Sequence, residues 1–358
     1  MKIYINGRFL TQRRTGVERY AYELCNALRD MGVRFTLVCP KRPLAPDYDV
    51  RGFDIVKYGI GASHFWEQCV LPLYFVGKKD YLLLSFTGLG SILVPHKVMT
   101  IHDLSFLHNP KWFSSLYYHY YKLLTPLCVR TSKAVITVSQ FSKSEILRFY
   151  PFLSPDGIHV IYNACDSRHF STPKQSGDQQ PYALAVSSID PRKNIDLLVH
   201  AFSNPDIGAK LFVVGNYNRV FASTTGRDTP QSENVVFLGR VTDERLSQLY
   251  AGAVCYISSS LYEGFGLPLL EAMTSGCPVL CSDIPVYREV CADSAYYFDP
   301  ESVLSLEQAF ACVRNETLVE RAALCAAMRR NLERFSWHTS ACILVDLISG
   351  LQRHTESC

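Results

Sequence analysis

The chain has 358 residues, of which 48% are hydrophobic and 19% charged, with a formal net charge of +3. That length holds two domains of ordinary size, each with its own core. A charge so close to balance does not argue for nucleic acid, and no apolar run approaches the ~18 residues of a membrane span.

The 13 cysteines are odd in number, lack Cys-x-x-Cys pairing and mostly sit in apolar surroundings such as Leu24-Cys25 and Val254-Cys255. They read as reduced core thiols. Cys277 and Cys281, four apart around a predicted strand, favour packing over metal binding. Met1-Lys2-Ile3-Tyr4-Ile5-Asn6 lacks the shape of a signal peptide, so a cytoplasmic protein is expected.

Lys2-Ile3-Tyr4-Ile5-Asn6 reads as a first strand, followed by a loop with Arg8, Arg13, Arg14 and Gly16. The next helix places Val17, Tyr20, Ala21, Leu24, Cys25 and Leu28 on one face, and Phe35 to Cys39 is a buried strand, so the chain opens as βαβ. Arg13, Arg14 and Arg19 cluster at a helix start, where the macrodipole disfavours cations by a few tenths of a kcal/mol each. Either an anion offsets that cost or the loop is simply solvated. Asp47-Tyr48-Asp49 has a metal-binding spacing but lies in a Pro-containing loop rather than after a strand, and no metal is expected there. Phe65-Trp66-Glu67-Gln68 with Leu71-Pro72 reads as a helix packed by its Trp in preference to the lining of an acceptor pocket.

Lys97 to Ile101 is a strand that ends in His102-Asp103, a polar pair at the end where open α/β sheets bind ligands. The segment Lys111 to Leu124 is aromatic and basic, which suits an anionic membrane surface and, nearly as well, a core helix with snorkelling lysines. Ala134 to Val138 is another strand, Ser142-x-x-Glu145 fits a capping box, and Ile158 to Tyr162 runs into Asn163-Ala164-Cys165-Asp166. The polar, Pro- and Gly-containing stretch 171–180 has the composition of a linker. The expected division is therefore an N-terminal domain over 1–170, a linker over 171–180, a second domain over 181–335 and a final helix over 336–358.

The second domain opens with the strand Tyr182 to Ser187, then Asp190-Pro191-Arg192-Lys193-Asn194 and a helix carrying Ile195, Leu198, Val199 and Phe202 on one face. Arg192 and Lys193 again place cations at a helix start. A bound diphosphate reverses the sign of that penalty, since charge-assisted contacts contribute roughly 1.5–3 kcal/mol each. Lys210 to Val214 is a strand ending in Gly215, as expected where a nucleotide approaches backbone, and Val235 to Val241 is a further strand.

Val254 to Ser258 and Val279 to Cys281 are strands that bracket the densest pattern in the chain. Between them Glu263-Gly264-Phe265-Gly266-Leu267-Pro268-Leu269-Leu270-Glu271 reads as a glycine loop feeding a helix of about two turns, stopped by Gly276 and Pro278. Gly264 and Gly266 let amides approach a ligand at the positive end of that helix, the usual geometry for phosphate. Glu263 is expected in the loop and Glu271 in the first helical turn, both facing the crevice at the carboxyl ends of the strands.

This Glu-x7-Glu motif with its internal Gly-Phe-Gly-Leu-Pro-Leu resembles the signature of the retaining, GT-B-fold glycosyltransferases of family 4. The resemblance implies an α/β fold of two Rossmann-like, doubly wound parallel-sheet domains facing across a cleft. It spans nearly the whole chain, with the last helix crossing back to the first domain. Thr15-Gly16-Val17-Glu18-Arg19-Tyr20 resembles the family's first glycine loop, which implies that Gly16 lies near the reaction centre, with Arg13 and Arg14 on the acceptor side. His102 is implied to contact the donor sugar, and Asp103 either to support that contact from behind or to serve the acceptor side. Lys193 matches the diphosphate clamp directly; Ser187-Ser188 stand where many members carry Gly-Arg, with Arg192 expected to supply that charge instead, and Ala164 replaces a glycine common in Asn-Gly-Val-Asp. Glu263 is implied to hold the transferred sugar, Glu271 the ribose, and Gly215, Gly264, Phe265, Gly266 and Leu267 the rest of the donor.

The function so implied is transfer of a hexose, with mannose from GDP-mannose the first choice, to a lipid-linked or oligosaccharide acceptor in surface polysaccharide (O-antigen-like) synthesis. Neither cofactor nor metal is expected, and membrane contact is expected to be peripheral, at the inner face. Two other readings keep the fold: a nucleotide-sugar epimerase, and a non-catalytic sugar-nucleotide-binding scaffold subunit. A nicotinamide dehydrogenase is disfavoured because no Gly-x-Gly-x-x-Gly follows the first strand.

Overall fold

The computed structural model describes residues 1–165, 180–216 and 232–356, with side chains as far as 353. The linker read over 171–180 lies almost wholly outside the described residues, as does Asp166. Two parallel sheets organise the chain.

The first sheet has seven strands: β1 (Lys2–Asn6), β2 (Thr36–Cys39), β3 (Asp54–Lys57), β4 (Tyr81–Ser85), β5 (Lys97–Ile101), β6 (Ala134–Thr137) and β7 (Ile158–Val160), in the order β3-β2-β1-β4-β5-β6-β7. β1 is central, with Ile5 opposite Leu37 on one side and Leu84 on the other. The strand order reverses between β1 and β4, and in such sheets ligands bind outside the carboxyl ends at that point. Those ends carry Asn6 and Phe86. The long helix Gly16–Asp30 follows β1 and buries Tyr20, Ala21, Leu24, Cys25 and Leu28. The terminal helix Trp337–Glu356 packs on it through Tyr20 and Trp337, whose rings meet edge-on at 5.9 Å, and Ser340 Oγ donates to Tyr162 O.

The second sheet has six strands: β8 (Tyr182–Val186), β9 (Lys210–Val214), β10 (Val235–Gly239), β11 (Cys255–Ser258), β12 (Val279–Ser282) and β13 (Tyr296–Phe298), ordered β10-β9-β8-β11-β12-β13. Here the order reverses between β8 and β11. Ala183, Ala185, Leu211, Val213, Ile257 and Leu280 pack with Leu198, Phe202 and Phe310 in one buried cluster. Small residues on β8 let the helix Ile195–Ser203 approach the sheet closely.

The first compact unit comprises Met1–Leu104, His119–Asn163 and Ser336–Cys358; the second comprises Ser105–Tyr118 and Ala164–Phe335. Ser105–Tyr118, which the sequence places between two strands of the first sheet, thus packs with the second unit. His108 stacks on Tyr262 at 4.5 Å between ring centroids.

Several local expectations change. β3, β4 and β13 have no counterpart in the sequence reading. The helix Gln140–Phe149 is capped by Ser139, whose hydroxyl accepts from Ser142 N, while Glu145 pairs with Arg148 at 2.9 Å. Ser142 is therefore inside the helix and not its cap. In the aromatic and basic segment, Trp112 and Phe113 are buried, so only part of it forms a surface. All 12 described cysteines are free.

Candidate active site

β8 hands the chain to a short turn, Pro191–Lys193, capped by Asp190, whose carboxylate accepts from Arg192 N at 3.1 Å. Asn194 then takes a left-handed conformation (φ 51°) and the helix Ile195–Ser203 begins. Leu261 N donates to Arg192 O, and Ser259 Oγ to Lys193 O, at 2.9 and 2.8 Å. The turn after β8 is thereby tied to the loop after β11, so the two sequence motifs become one site at the switch point of the second sheet.

The tie brings Arg192, Lys193 and Glu263 together. Arg192 Nη1 donates to Glu263 Oε2 at 2.9 Å and to Tyr262 O at 3.3 Å, Lys193 Nζ donates to Glu263 Oε1, and Ser260 Oγ donates to the same oxygen at 2.8 Å. Glu263 is 8% exposed, so it is not a solvated loop residue. Burial pushes its carboxyl pKa up, but Lys193 and Arg192 together outweigh that and hold it down at about 2. A carboxylate bracketed by two cations is a charged cluster near neutrality, held in place by the backbone bonds just described.

Gly264 and Phe265 are buried, Phe265 meeting Phe335 edge-on at 5.6 Å. Gly266 (φ 98°) is the N-cap of the helix Leu267–Thr274, and a Cβ there would stand 2.7 Å from Leu269 Cδ1 and 2.8 Å from Tyr287 Cε1. The glycine is demanded by the turn and by Tyr287 behind it. Leu267 is the first helical residue and Pro268 the second.

Glu271 lies in the second turn of this helix, not the first, because the helix begins at Leu267. It is 5% exposed and accepts from Tyr250 OH at 3.1 Å. It therefore does more than complement a dipole on a solvated surface. Burial, then Glu271, pushes the Tyr250 phenol far up, so the phenol keeps its proton and remains a donor. Gly215 (φ 140°) is explained within the protein: its Cβ would fall 1.7 Å from Ser187 O, and its amide donates to Gly239 O at 2.8 Å.

In the first unit, His102 shares a hydrogen between Nε2 and Phe86 O at 2.8 Å and meets Tyr20 edge-on at 5.1 Å. Burial lowers its pKa, so the ring is neutral at physiological pH and its Nε2 is the donor. Asp103 follows it at the end of β5. Gly16 opens the helix Gly16–Asp30 at an exposed position, and space for a Cβ is open there. Arg13 is exposed, and Arg14 is half-buried with its amide donating to Asp47 Oδ2 at 3.3 Å. Glu18 in the first turn accepts from Thr15 N and complements the dipole beside these cations. Asp49, the other half of the Asp-x-Asp, is held by Arg51.

Sequence reasoning missed Asp190, Ser260, Tyr250 and Tyr262 as parts of the site. Asp190 had a readable signal, an Asp immediately before Pro. Tyr250 had none, because its relation to Glu271 depends on how two helices pack. On Trp66 the packing reading holds: it is fully buried and Nε1 donates to Tyr58 O at 2.9 Å.

The family model of glycosyl transferases group 1 matches residues 146–331, and that of glycosyltransferase family 4 matches residues 14–169. The chain is 32% identical over 247 residues to the O-antigen chain mannosyltransferase B of Escherichia coli, covering 63% of each protein. It is 28% identical over 324 residues to the O-antigen chain mannosyltransferase RfbU of Salmonella typhimurium, covering 82% of this chain and 86% of the relative. The structure of Anabaena HepE in complex with UDP and glucose superposes with a TM-score of 0.75 at 18% identity, over 98% of this chain and 99% of that one. That likeness shows the fold, two parallel-sheet α/β domains of GT-B type. With one family model covering more than half of the sequence and the second covering β2 to β7 of the first unit, the chain belongs to the glycosyl transferases group 1, of the family 4 type.

Proposed function

We propose that this protein is a retaining, metal-independent hexosyltransferase that moves mannose from GDP-mannose to a glycan or lipid-linked acceptor in surface polysaccharide synthesis. The observation that carries the reading is the Arg192–Glu263–Lys193 cluster at the switch point of the second sheet. The similarity to O-antigen mannosyltransferases supports the choice of sugar.

The second unit binds the donor. Arg192 and Lys193 lie where a diphosphate meets two cations and the amides of the Gly264–Leu267 loop. Negative charge grows on the diphosphate as the glycosidic bond breaks, so donors fixed in advance favour the transition state over the ground state. Glu263, kept ionised by the same cations, accepts hydroxyl hydrogens of the transferred sugar, and Glu271 accepts those of the ribose. The first unit takes the acceptor, with Arg13, Arg14 and Asp103 on that side and Gly16 toward the donor phosphate. His102, neutral through burial, suits a hydrogen bond to a sugar hydroxyl without adding charge.

No described helix is long and apolar enough to cross a membrane. The helix Ser115–Arg130 nonetheless exposes Leu116, Leu123 and Leu127 at 83%, 65% and 40%, with exposed Lys122 and Arg130 beside them. That stripe supports peripheral contact with an anionic lipid surface, as a lipid-linked acceptor requires. A thermal-shift screen of GDP-, UDP- and dTDP-sugars tests the donor. A donor at 100 times its dissociation constant stabilises by about 2.7 kcal/mol. The reading expects that response from GDP-mannose, with or without a chelator, and no response from any nucleotide sugar defeats it.

A further inference from the structure

The first sheet has its own switch point, between β1 and β4, and a buried polar cluster occupies its carboxyl end. Glu67 has no exposed surface, and Asn6 Nδ2, at the end of β1, donates to its Oε1 at 2.7 Å. Its Oε2 faces Arg8 Nη2 at 3.9 Å and His64 Nδ1 at 3.7 Å, distances that join charges without making hydrogen bonds. Among the described residues, Glu67 Oε2, Arg8 Nε, His64 Nδ1 and Tyr120 OH are all buried and none has a hydrogen-bond partner. His64 packs its ring against Tyr120 at 4.9 Å, and Glu67 is the second cause, after burial, that raises the Tyr120 phenol.

Buried polar atoms in native proteins are nearly always satisfied, and four converging exceptions require an explanation. Of these, Glu67 Oε2 and His64 Nδ1 stand 3.7 Å apart without bonding, and Arg8 reaches the same oxygen only through Nη2, at 3.9 Å. Two further features point the same way. Gly88, in the loop after β4, has φ 74°, and a Cβ there would stand 2.5 Å from Arg8 Nη2 and 3.0 Å from both Glu67 carboxylate oxygens, so backbone is pressed against the pair. Glu67 also lies in a π turn, Trp66–Val70, where Leu71 N reaches back five residues to Trp66 O. Such turns cost helix regularity and recur at functional sites.

We propose that Arg8, His64, Glu67 and Tyr120 form a subsite for an uncharged saccharide, hydrogen-bonded through its hydroxyls. Glu67 repels an anion and Arg8 a cation, so the complementary group is neutral. It must donate to Glu67 and accept from Arg8 or Tyr120, and a hydroxyl does both. His64, with a third of its side chain exposed, is the member that solvent reaches. The inference rests on the glycosyltransferase reading, to which it adds the place where the acceptor's sugar sits. It also revises the packing view of Phe65-Trp66-Glu67-Gln68, which accounts for Trp66 but not for Glu67.

Saturation-transfer NMR with the methyl glycosides of mannose, glucose and galactose, in the presence of GDP, tests it on the full chain. Wild type is expected to bind at least one glycoside, with affinity about tenfold weaker in both Tyr120→Phe and His64→Ala, the loss of one hydrogen bond to a charged network. GDP affinity, measured on the same samples, is expected to be unchanged. No signal from any neutral glycoside in wild type, or undiminished affinity in both variants, overturns the subsite and leaves the cluster to buried water alone. A wild type that binds glycoside but no nucleoside diphosphate instead defeats the glycosyltransferase reading.

Discussion

Arg192 and Glu263 are 71 residues apart in sequence and 2.9 Å apart in space, Nη1 to Oε2, with Lys193 on the carboxylate's other oxygen. The cations at the start of this helix are thus not uncompensated: the carboxylate from the next motif holds them. On the proposed function, an incoming diphosphate competes for the same N–H groups, and a sugar hydroxyl can replace them on Glu263. The cluster is therefore read as a charge exchange that couples donor binding to orientation of the sugar.

On the proposed function, replacing Lys193 by Ala removes one of two cations from the departing diphosphate while leaving Glu263 paired with Arg192. The expected result is a drop in kcat on the order of 10²–10³-fold, the scale for losing one preorganised donor to a developing anion. Thermal unfolding of the variant without ligand checks that the fold survives.

Glu263 sets an acid limit on stability. Its folded pKa is about 2 against 4.5 for the free group. A depressed carboxyl contributes stability that is fully present above the unfolded pKa and is lost as pH falls through the folded one, so the window is pH 4.5 to about 2. The contribution amounts to about 3 kcal/mol. Urea titrations at pH 6 and pH 3 are expected to show a smaller loss in Glu263→Gln than in wild type.

Lys97 gives a slope of the same sign at alkaline pH, because its depressed pKa is a cost that deprotonation relieves. It is fully buried at the start of β5, Nζ donating to Thr131 Oγ1 at 2.6 Å and Val94 O at 3.2 Å, and burial lowers its pKa from 10.5 to about 8. The unfolded chain then binds more protons between those values, so stability rises with pH from about 8 to 10.5. Lys97→Met removes that slope, which denaturation midpoints at pH 7.5 and 9.5 measure.

The glycines differ in what they tolerate. Gly215→Ala drives a Cβ to 1.7 Å from a backbone oxygen, which no rotamer relieves, and the expected outcome is failure to fold or loss of several kcal/mol. Gly16→Ala, with open space at its Cβ, is expected to fold with wild-type stability. Circular dichroism melts separate the two.

Much of this was legible in the residues. β1, β5, β8, β9 and β11 read as strands because β-branched and apolar runs bounded by turn residues declare buried parallel strands. β4 did not, because Tyr81-Leu82-Leu83-Leu84 is rich in leucine, a helix former, and only its place beside β1 makes it extended. In the site, Glu263 and Lys193 were each singled out by the residues, but their mutual contact was not, since it depends on Leu261 N reaching Arg192 O. Glu67 lies in a stretch where packing was preferred to the lining of an acceptor pocket. Beside Trp66 it reads as the polar flank of a packed helix, and only the switch point of the first sheet brings Arg8 to it.

The most direct test of the central claim is calorimetric titration of GDP into wild type, Lys193→Ala and Glu271→Gln. The account predicts binding to wild type and affinity at least tenfold weaker in each variant, through a lost diphosphate contact in one and a lost ribose contact in the other. Equal affinity in all three proteins contradicts it.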